Sequence, residues 1–383
     1  MAISAQGGSF TVAQSLESLR VAGGSVYDLD FTNVGQQIQL AFDAHNMIVK
    51  ELLSKFATVT TLRNDVVPAV KYYNFEEVDE LGSAGMMSQG TYGDLGYPLR
   101  KYNGILGWTA TSLKVMKPIE MVNQVVSLLT ADIRNIHLLL RNALFNSTNY
   151  NYTDRFVDSA VLKVKRLQNN DTTTAVPINP VTGENIATSH THYKGYASFL
   201  VATFDDCIAS LVEHFGENGK VEIYINTADV AAAQAFTGFQ VILPVNYVPN
   251  TAATHIDPAW SLNTSNLYDR LVGFYQGCEV WAKWWVPASY VVGIISGEGI
   301  PTPLKARIRG TGENTVGGES RSIIGGSSTE SGSGDLVLLY DNPDYPILAK
   351  EWQREIGFGA YGRVSAWVAY TANATYAVPT ITY

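Results

Sequence analysis

Residues 118–145 read PIEMVNQVVSLLTADIRNIHLLLRNALF, and no other stretch narrows the choice of fold so far. Val122, Val125, Val126, Leu129, Ile133, Ile136, Leu140 and Ala143 recur at steps of three and four and form one apolar stripe. Pro118 stands where a first-turn proline is tolerated, and Glu120 suits the positive end of a helix. At 1.5 Å per residue such a helix is about 42 Å long, well beyond an average one. The sequence predicts a beam.

The segments before it are of three kinds. Residues 1–34 are polar, glycine-bearing and weakly patterned, which suits an extended arm. From Gly35 to Ala57 the spacing of Ile38, Ala41, Phe42, His45, Ile48, Val49, Leu52 and Phe56 is helical. Two strand-like runs follow, VVPAVKYYNF and YPLRKYNGILGWTATSL, and between them lies DELGSAGMMSQGTYGDLGYP, Asp79 to Pro98. That tract holds glycines at 82, 85, 90, 93 and 96 and no apolar periodicity. Glycine loses the most backbone entropy on ordering, and the tract offers no buried face in return. A long hairpin whose tip lies on another surface is the expectation.

Beyond the beam, residues 146–195 are polar and carry one short strand-like run, SAVLKVKRL. Leu200, Phe204, Ile208, Leu211 and Phe215 mark a second amphipathic helix from Tyr196 to Phe215. VEIYIN reads as a buried strand and TADVAAAQAF as a short helix. FQVILPV, LVGFYQGCEVWAKWWVP and SYVVGII read as further strands, giving a mixed α/β unit. Fourteen of the twenty-five residues from Gly310 to Gly334 are Gly or Ser, the composition of a flexible insertion. LVLLY and REIGFGAYGRVSAWVAYTAN return to strand character.

Catalytic constellations are hard to find. Lys and Arg number 26 against 35 Asp and Glu, a net charge of −9, so a counterion-release grip on nucleic acid is not the main business. There is no secretory signal and no membrane-spanning apolar run. Cys207 and Cys278 are isolated and read as two small buried hydrophobes. Gly357, Gly359 and Gly362 match G-x-G-x-x-G, but RVSAWVAY follows rather than a helix, so they read as strand and turn glycines. His190 and His192 are placed to reach one metal from a strand. With no third ligand near in sequence, and His214 on a separate predicted helix, they read as an exposed polar loop. Glu76, Glu77, Asp79 and Glu80 fit no calcium-loop spacing and read as a solvated or partner-facing patch. The expectation is a protein that is not an enzyme, with no catalytic residues, no cofactor and no metal.

The order of parts resembles the major capsid proteins of tailed bacteriophages, the Hong Kong 97-type fold. LRKYNGILGWTATSLKVMKPIEMVNQVVSLLTADIRNIHLLLRNALF is similar to that family's return strand, turn and spine helix, IYINTADVAAAQ to its axial strand, turn and helix, GFYQGCEVWAKWWVPASYVVGII to its next strands, and EIGFGAYGRVSAWVAY to its closing strand. The resemblance implies an α+β fold divided as follows: 1–57 an N-terminal arm and helix, 58–112 an extended β-hairpin loop, 113–195 the spine helix and the first part of a peripheral domain, 196–309 an axial domain, 310–334 an insertion, and 335–383 the closing peripheral strands.

The implied function is self-assembly, as pentamers and hexamers, into an icosahedral shell around double-stranded DNA without sequence-specific binding. The virion is the implied location, with assembly in the host cytoplasm. The further partners are a scaffolding protein (separate, or cleaved off before this numbering begins), a portal and decoration proteins. Met86, Met87 and Tyr92 at the hairpin tip are the expected contacts to a neighbouring subunit. No lysine lies between Tyr72 and Arg100, so the covalent cross-link some members make through a lysine at this loop is not expected. An encapsulin shell and a metal-dependent enzyme using His190, His192 and the acidic cluster are the alternatives.

Overall fold

The computed structural model describes residues 16–28, 31–67, 93–155, 158–170, 190–241, 269–309, 335–342 and 347–381. In chain order, a single helical turn, α1 (Glu17–Arg20), precedes α2 (Phe31–Ser54), β1 (Ala57–Thr60), β2 (Asn64–Val67), β3 (Gly93–Gly96), β4 (Arg100–Thr109), α3 (Ala110–Val115) and α4 (Pro118–Phe145). Then come β5 (Tyr150–Thr153), β6 (Val161–Val164), β7 (Tyr193–Gly195), α5 (Val201–Phe215), β8 (Lys220–Ile225) and α6 (Val230–Gln234). The remaining strands are β9 (Phe239–Val241), β10 (Asp269–Tyr275), β11 (Cys278–Lys283), β12 (Tyr290–Ser296), β13 (Leu304–Ile308), β14 (Val337–Asn342), β15 (Ile347–Ala360) and β16 (Ala366–Tyr370).

The 28 residues of α4 coincide with the span that periodicity picks out. Glu120 accepts a hydrogen bond from the Lys117 N–H at 3.2 Å, closing the first turn as a first-turn acid should. Val122, Val125, Leu129, Ile136, Leu140 and Ala143 are buried, whereas Val126 and Ile133 lie half-buried on the flank of the stripe. The two halves of α4 serve different cores. Its first half packs Met121, Val122, Val125 and Leu129 against Phe42 of α2, Trp108 of β4 and Trp352 of β15. Its second half packs Ile136, Leu140, Leu144 and Phe145 where two sheets meet.

Residues 16–34 are not the extended arm their polar composition suggests. Leu16 and Val26 are fully buried in the core of the first half of α4, the Val26 N–H donates to Met116 O at 2.9 Å, and α2 begins at Phe31 rather than Gly35. A few apolar anchors among polar neighbours are enough to hold such a segment, and periodicity does not register them.

The smaller sheet has five strands and is organised by β15. β4 pairs antiparallel along one edge of it, from Ile347 to Ile356. β13 and β14 meet the other edge end to end, at residues 356–360 and 349–353, and β1 adds parallel to β13. The larger sheet runs β7-β16-β12-β8-β11-β10-β9. Both of its faces are buried, as β12 shows: Tyr290, Val292 and Ile294 face the core shared with α4, while Val291 and Ile295 face the core under α5. This is why YVVGII carries no polar alternation.

The tract before β4 differs from expectation at its C-terminal end. β2 and β3 pair antiparallel, Asn64 opposite Gly96 and Val67 opposite Gly93, but β4 then leaves to pair with β15 rather than with the run before the tip. Leu95 and Tyr97 are buried within their own chain. Pro98 and Gly96 lie directly on β15: a Cβ on Gly357 would stand 2.2 Å from Pro98 O, and one on Gly359 2.7 Å from Gly96 O. The two glycines of the apparent nucleotide motif therefore exist to let another backbone approach.

A buried polar network joins the helices to β15. Arg354 grips Asp132 of α4 with Nε to Oδ1 at 2.9 Å and Nη2 to Oδ2 at 2.7 Å. His45 Nε2 lies 2.7 Å from Asp132 Oδ2, and Arg354 Nη2 donates to Asn46 Oδ1 at 3.0 Å. Burial by itself would raise the Asp132 carboxyl, but the hydrogen bonds from His45 and Arg354 and the arginine charge hold it below the usual carboxylate range.

Two predictions follow from this packing. Asp132→Ala leaves the buried Arg354 guanidinium without its carboxylate, so denaturant unfolding should show a loss of about 3–5 kcal/mol. Because the folded-state pKa of Asp132 lies below the ordinary 3.8, the stabilisation is complete above that value and fades as pH falls below it. The Asp132 part of the gap between parent and variant should thus shrink as pH falls below 3.8. Gly357→Val should push the 96–98 segment off β15, seen as a lowered melting temperature and faster amide exchange at residues 95–99. Unchanged exchange there would show that the contact is dispensable.

Candidate functional site

Met86, Met87 and Tyr92 lie outside the described residues, as do Glu76, Glu77, Asp79, Glu80 and the whole of Gly310 to Gly334. What is on view is the base of the hairpin. Arg307 of β13 is buried and donates through Nη1 to Asp154 Oδ2 at 2.6 Å and to Tyr97 O at 3.2 Å. Lys305 reaches Asp65 Oδ2 at 2.5 Å, and the Tyr97 hydroxyl donates to the same carboxylate at 2.8 Å. Around this pinned base Val59, Leu62, Val66 and Val161 stand exposed, as do Leu40 and Met47, seven residues apart on the outer face of α2. The strands β7 and β9 end the larger sheet, and β1 and β14 end the path of the smaller one, with no further described strand beside them.

The two cysteines are buried and unbridged, in line with the sequence reading. Cys207 packs on Gly293, where a Cβ would stand 2.1 Å from its sulfur, and burial pushes its thiol well above the usual range. It is a packing residue.

The histidines are where sequence reading fails. His192 is fully buried rather than in an exposed loop, and His190 is half-buried beside it. The His192 N–H donates to Gln168 O and its carbonyl accepts from the Val368 N–H, both at 2.8 Å, so the segment is stitched between two neighbours. His214, near the end of α5, completes the group. The three Nε2 atoms stand 2.9 Å (190 to 192), 3.0 Å (192 to 214) and 3.0 Å (214 to 190) apart. Glu213 brings Oε1 to 3.2 Å from His190 Nε2 and 3.6 Å from His214 Nε2. A signal for His214 was present: it continues the buried series Phe204, Cys207, Leu211 at steps of three and four, so a polar residue sat on the inward stripe.

Hydrogen bonding fixes one tautomer. His192 Nδ1 is 2.8 Å from Ala366 O, which can only accept, so Nδ1 carries the proton and a neutral ring turns its Nε2 lone pair toward the other two. Desolvation lowers the pKa of all three rings, that of His192 well below its usual value and that of His214 to about 3. They are neutral imidazoles near pH 7, the state in which a histidine binds a metal. Among the described residues, this is the only trio of His, Cys, Asp or Glu side chains so arranged.

No protein-family model matches the sequence, and no curated protein resembles it in sequence. Solved structures do resemble the fold. A chain of Mycobacterium phage Patience superposes with a TM-score of 0.61 at 18% identity, covering 100% of this chain and 98% of that one. The capsid of the native GTA particle gives 0.43 at 13% identity, covering 84% and 89%. The holo-SrpI encapsulin complex of Synechococcus elongatus gives 0.43 at 10%, covering 87% and 91%. Identity this low speaks for the fold alone: the described residues have the mixed helix-and-sheet fold of that phage chain, matched along the length of both.

Proposed function

We propose that this chain is a major capsid protein of a tailed bacteriophage, a subunit that assembles into a closed shell around double-stranded DNA. The observation that carries the reading is the full-length likeness of fold to a phage protein, with neither chain leaving a large part uncovered. In this reading α4 is the spine helix, residues 58–112 the extended loop, 196–309 the axial domain, and the segments around β4, β14 and β15 the peripheral domain. The role needs no catalytic centre. It needs surface for a neighbour to cover, and the sheet edges with no further described strand beside them, with the exposed valines at the hairpin base, offer it among the described residues. Low charge, at 16% of residues, and 21 tyrosines suit many modest interfaces summed over a symmetric shell. A scaffolding protein, a portal and decoration proteins are the further partners, and the host cytoplasm the place of assembly.

The purified chain should form closed particles, or rings of five and six subunits, in sedimentation and electron microscopy. A compact monomer under every salt and pH condition would overturn the reading, and particles filled with a protein cargo rather than a genome would shift it to an encapsulin. The tip contact is tested separately. Since β3 is already held by its own chain, the neighbour's share falls on residues 82–92. Met86→Asp should leave the subunit's melting unchanged while reducing particle yield, because the charge is buried only on assembly. A lowered melting point in the free subunit would instead place Met86 in an intrachain core, and normal assembly would show that it is no anchor.

A further inference from the structure

We propose that His190, His192 and His214, with Glu213, form a binding site for one transition-metal ion of the zinc class, which clamps the end of α5 to the β7–β16 edge of the larger sheet. The first argument is one of hydrogen-bond counting. Three nitrogens in mutual contact, at 2.9, 3.0 and 3.0 Å, must each be either a donor or an acceptor. With three atoms and two roles, at least one contact always sets like against like, whatever the tautomers or charges. A cation at the centre removes the conflict by letting all three act as lone-pair donors.

The second argument is shape. A tetrahedral zinc site with bonds of 2.0–2.1 Å has ligand-to-ligand edges of about 3.3 Å. The five edges known among the three Nε2 atoms and Glu213 Oε1 run from 2.9 to 3.6 Å and bracket that value. Three imidazoles and one carboxylate suit zinc and its neighbours, not magnesium or calcium, which demand six or more oxygens.

The third argument lies around the site. His192 donates its Nδ1–H to the Ala366 carbonyl at 2.8 Å, the kind of outer contact that orients a metal-bound histidine. His214 is 3% exposed and its Nδ1 has no hydrogen-bond partner among the described residues, where its ring makes polar contact through the Nε2 that faces the site. The ion would have a mechanical use. β7 is a three-residue strand that, among the described strands, stands at the edge of the sheet and pairs only with β16, and it begins at the residue after His192. An ion held from α5 gives that edge an anchor its own few hydrogen bonds do not supply.

The test uses the full-length chain without a histidine tag and does not depend on whether it forms a shell. Protein prepared in zinc-containing medium should hold about one zinc per chain by elemental analysis, and chelation followed by zinc should lower and then restore the melting temperature. Replacement by Co²⁺ should give the visible d–d bands of a tetrahedral ion. His190→Ala, chosen because His190 is only half-buried, should remove both the bound metal and the zinc-dependent melting shift, and Glu213→Gln should weaken them. Failure of the parent to bind Zn²⁺ or Co²⁺, or metal retained undiminished in His190→Ala, would overturn the proposal.

Discussion

Arg354 and Asp132 are 222 residues apart in sequence, and their bidentate pairing sets the frame on which the molecule is built. Asp132 sits on the buried side of α4, where an unpaired carboxylate would be severely unfavourable. Its position is tolerable only with the guanidinium of β15 in register, the His45 ring on the same oxygen, and Asn46 closing the other side. Asn46 in turn binds both the N–H and the carbonyl of Leu336, just before β14. Four segments are thereby locked at one depth. Apolar packing alone would let a long helix slide along its partners at little expense; a directional charge pair does not.

With α4 and β15 fixed, the rest of the architecture follows from what each must cover. β15 is long enough, at 14 residues, to accept β4 on one edge and both β13 and β14 on the other. The chain crosses from β12 to β13 and from β15 to β16, and earlier passes from β4 by way of α4 to β7, so the two sheets are joined three times. The second half of α4 fills the junction, together with Phe56, Tyr224 and Trp285, whose rings meet edge-on or tilted. The larger sheet is a wall with a core on each face. Its second core, under α5, is closed by Trp367, Phe204 and Tyr275.

The hairpin base and the histidine site use the same device at smaller scale. Tyr97 is held by its carbonyl, its hydroxyl and the backbone of β15 together, so the chain emerging at β2 and entering at β3 does so from a rigid root. In the proposed role, a loop that clasps a neighbour would need such a root, since a loose one would spend the contact energy on ordering itself. The histidines hold the opposite kind of boundary, a short edge strand against the end of a helix.

Sequence by itself determined the elements whose signal is local. The period of α4, the doubly apolar runs of β12 and β16, and Phe204 and Leu211 of the α5 stripe could be read because burial repeats at each element's spacing, although Leu200 of that stripe stands exposed and the helix starts at Val201 rather than Tyr196. The inward place of Cys207 followed from its being an isolated cysteine, a small hydrophobe, and not from that stripe. Tertiary structure alone decided what depends on partners distant in the chain. Periodicity gave Asp132 and His137 no part in the α4 stripe, yet both are buried, because burial of a charge or a ring nitrogen depends on what comes to meet it. His190 and His192 read as solvent-facing for want of a third ligand, and that ligand arrives from a helix 22 residues on. β4 read as half of a hairpin, yet it pairs with β15, more than two hundred residues later. Pattern reports the environment of a face; the identity of the partner on that face is fixed only by the closure of the whole chain, where shape and hydrogen-bond pairing select among many apolar surfaces of equal hydrophobicity.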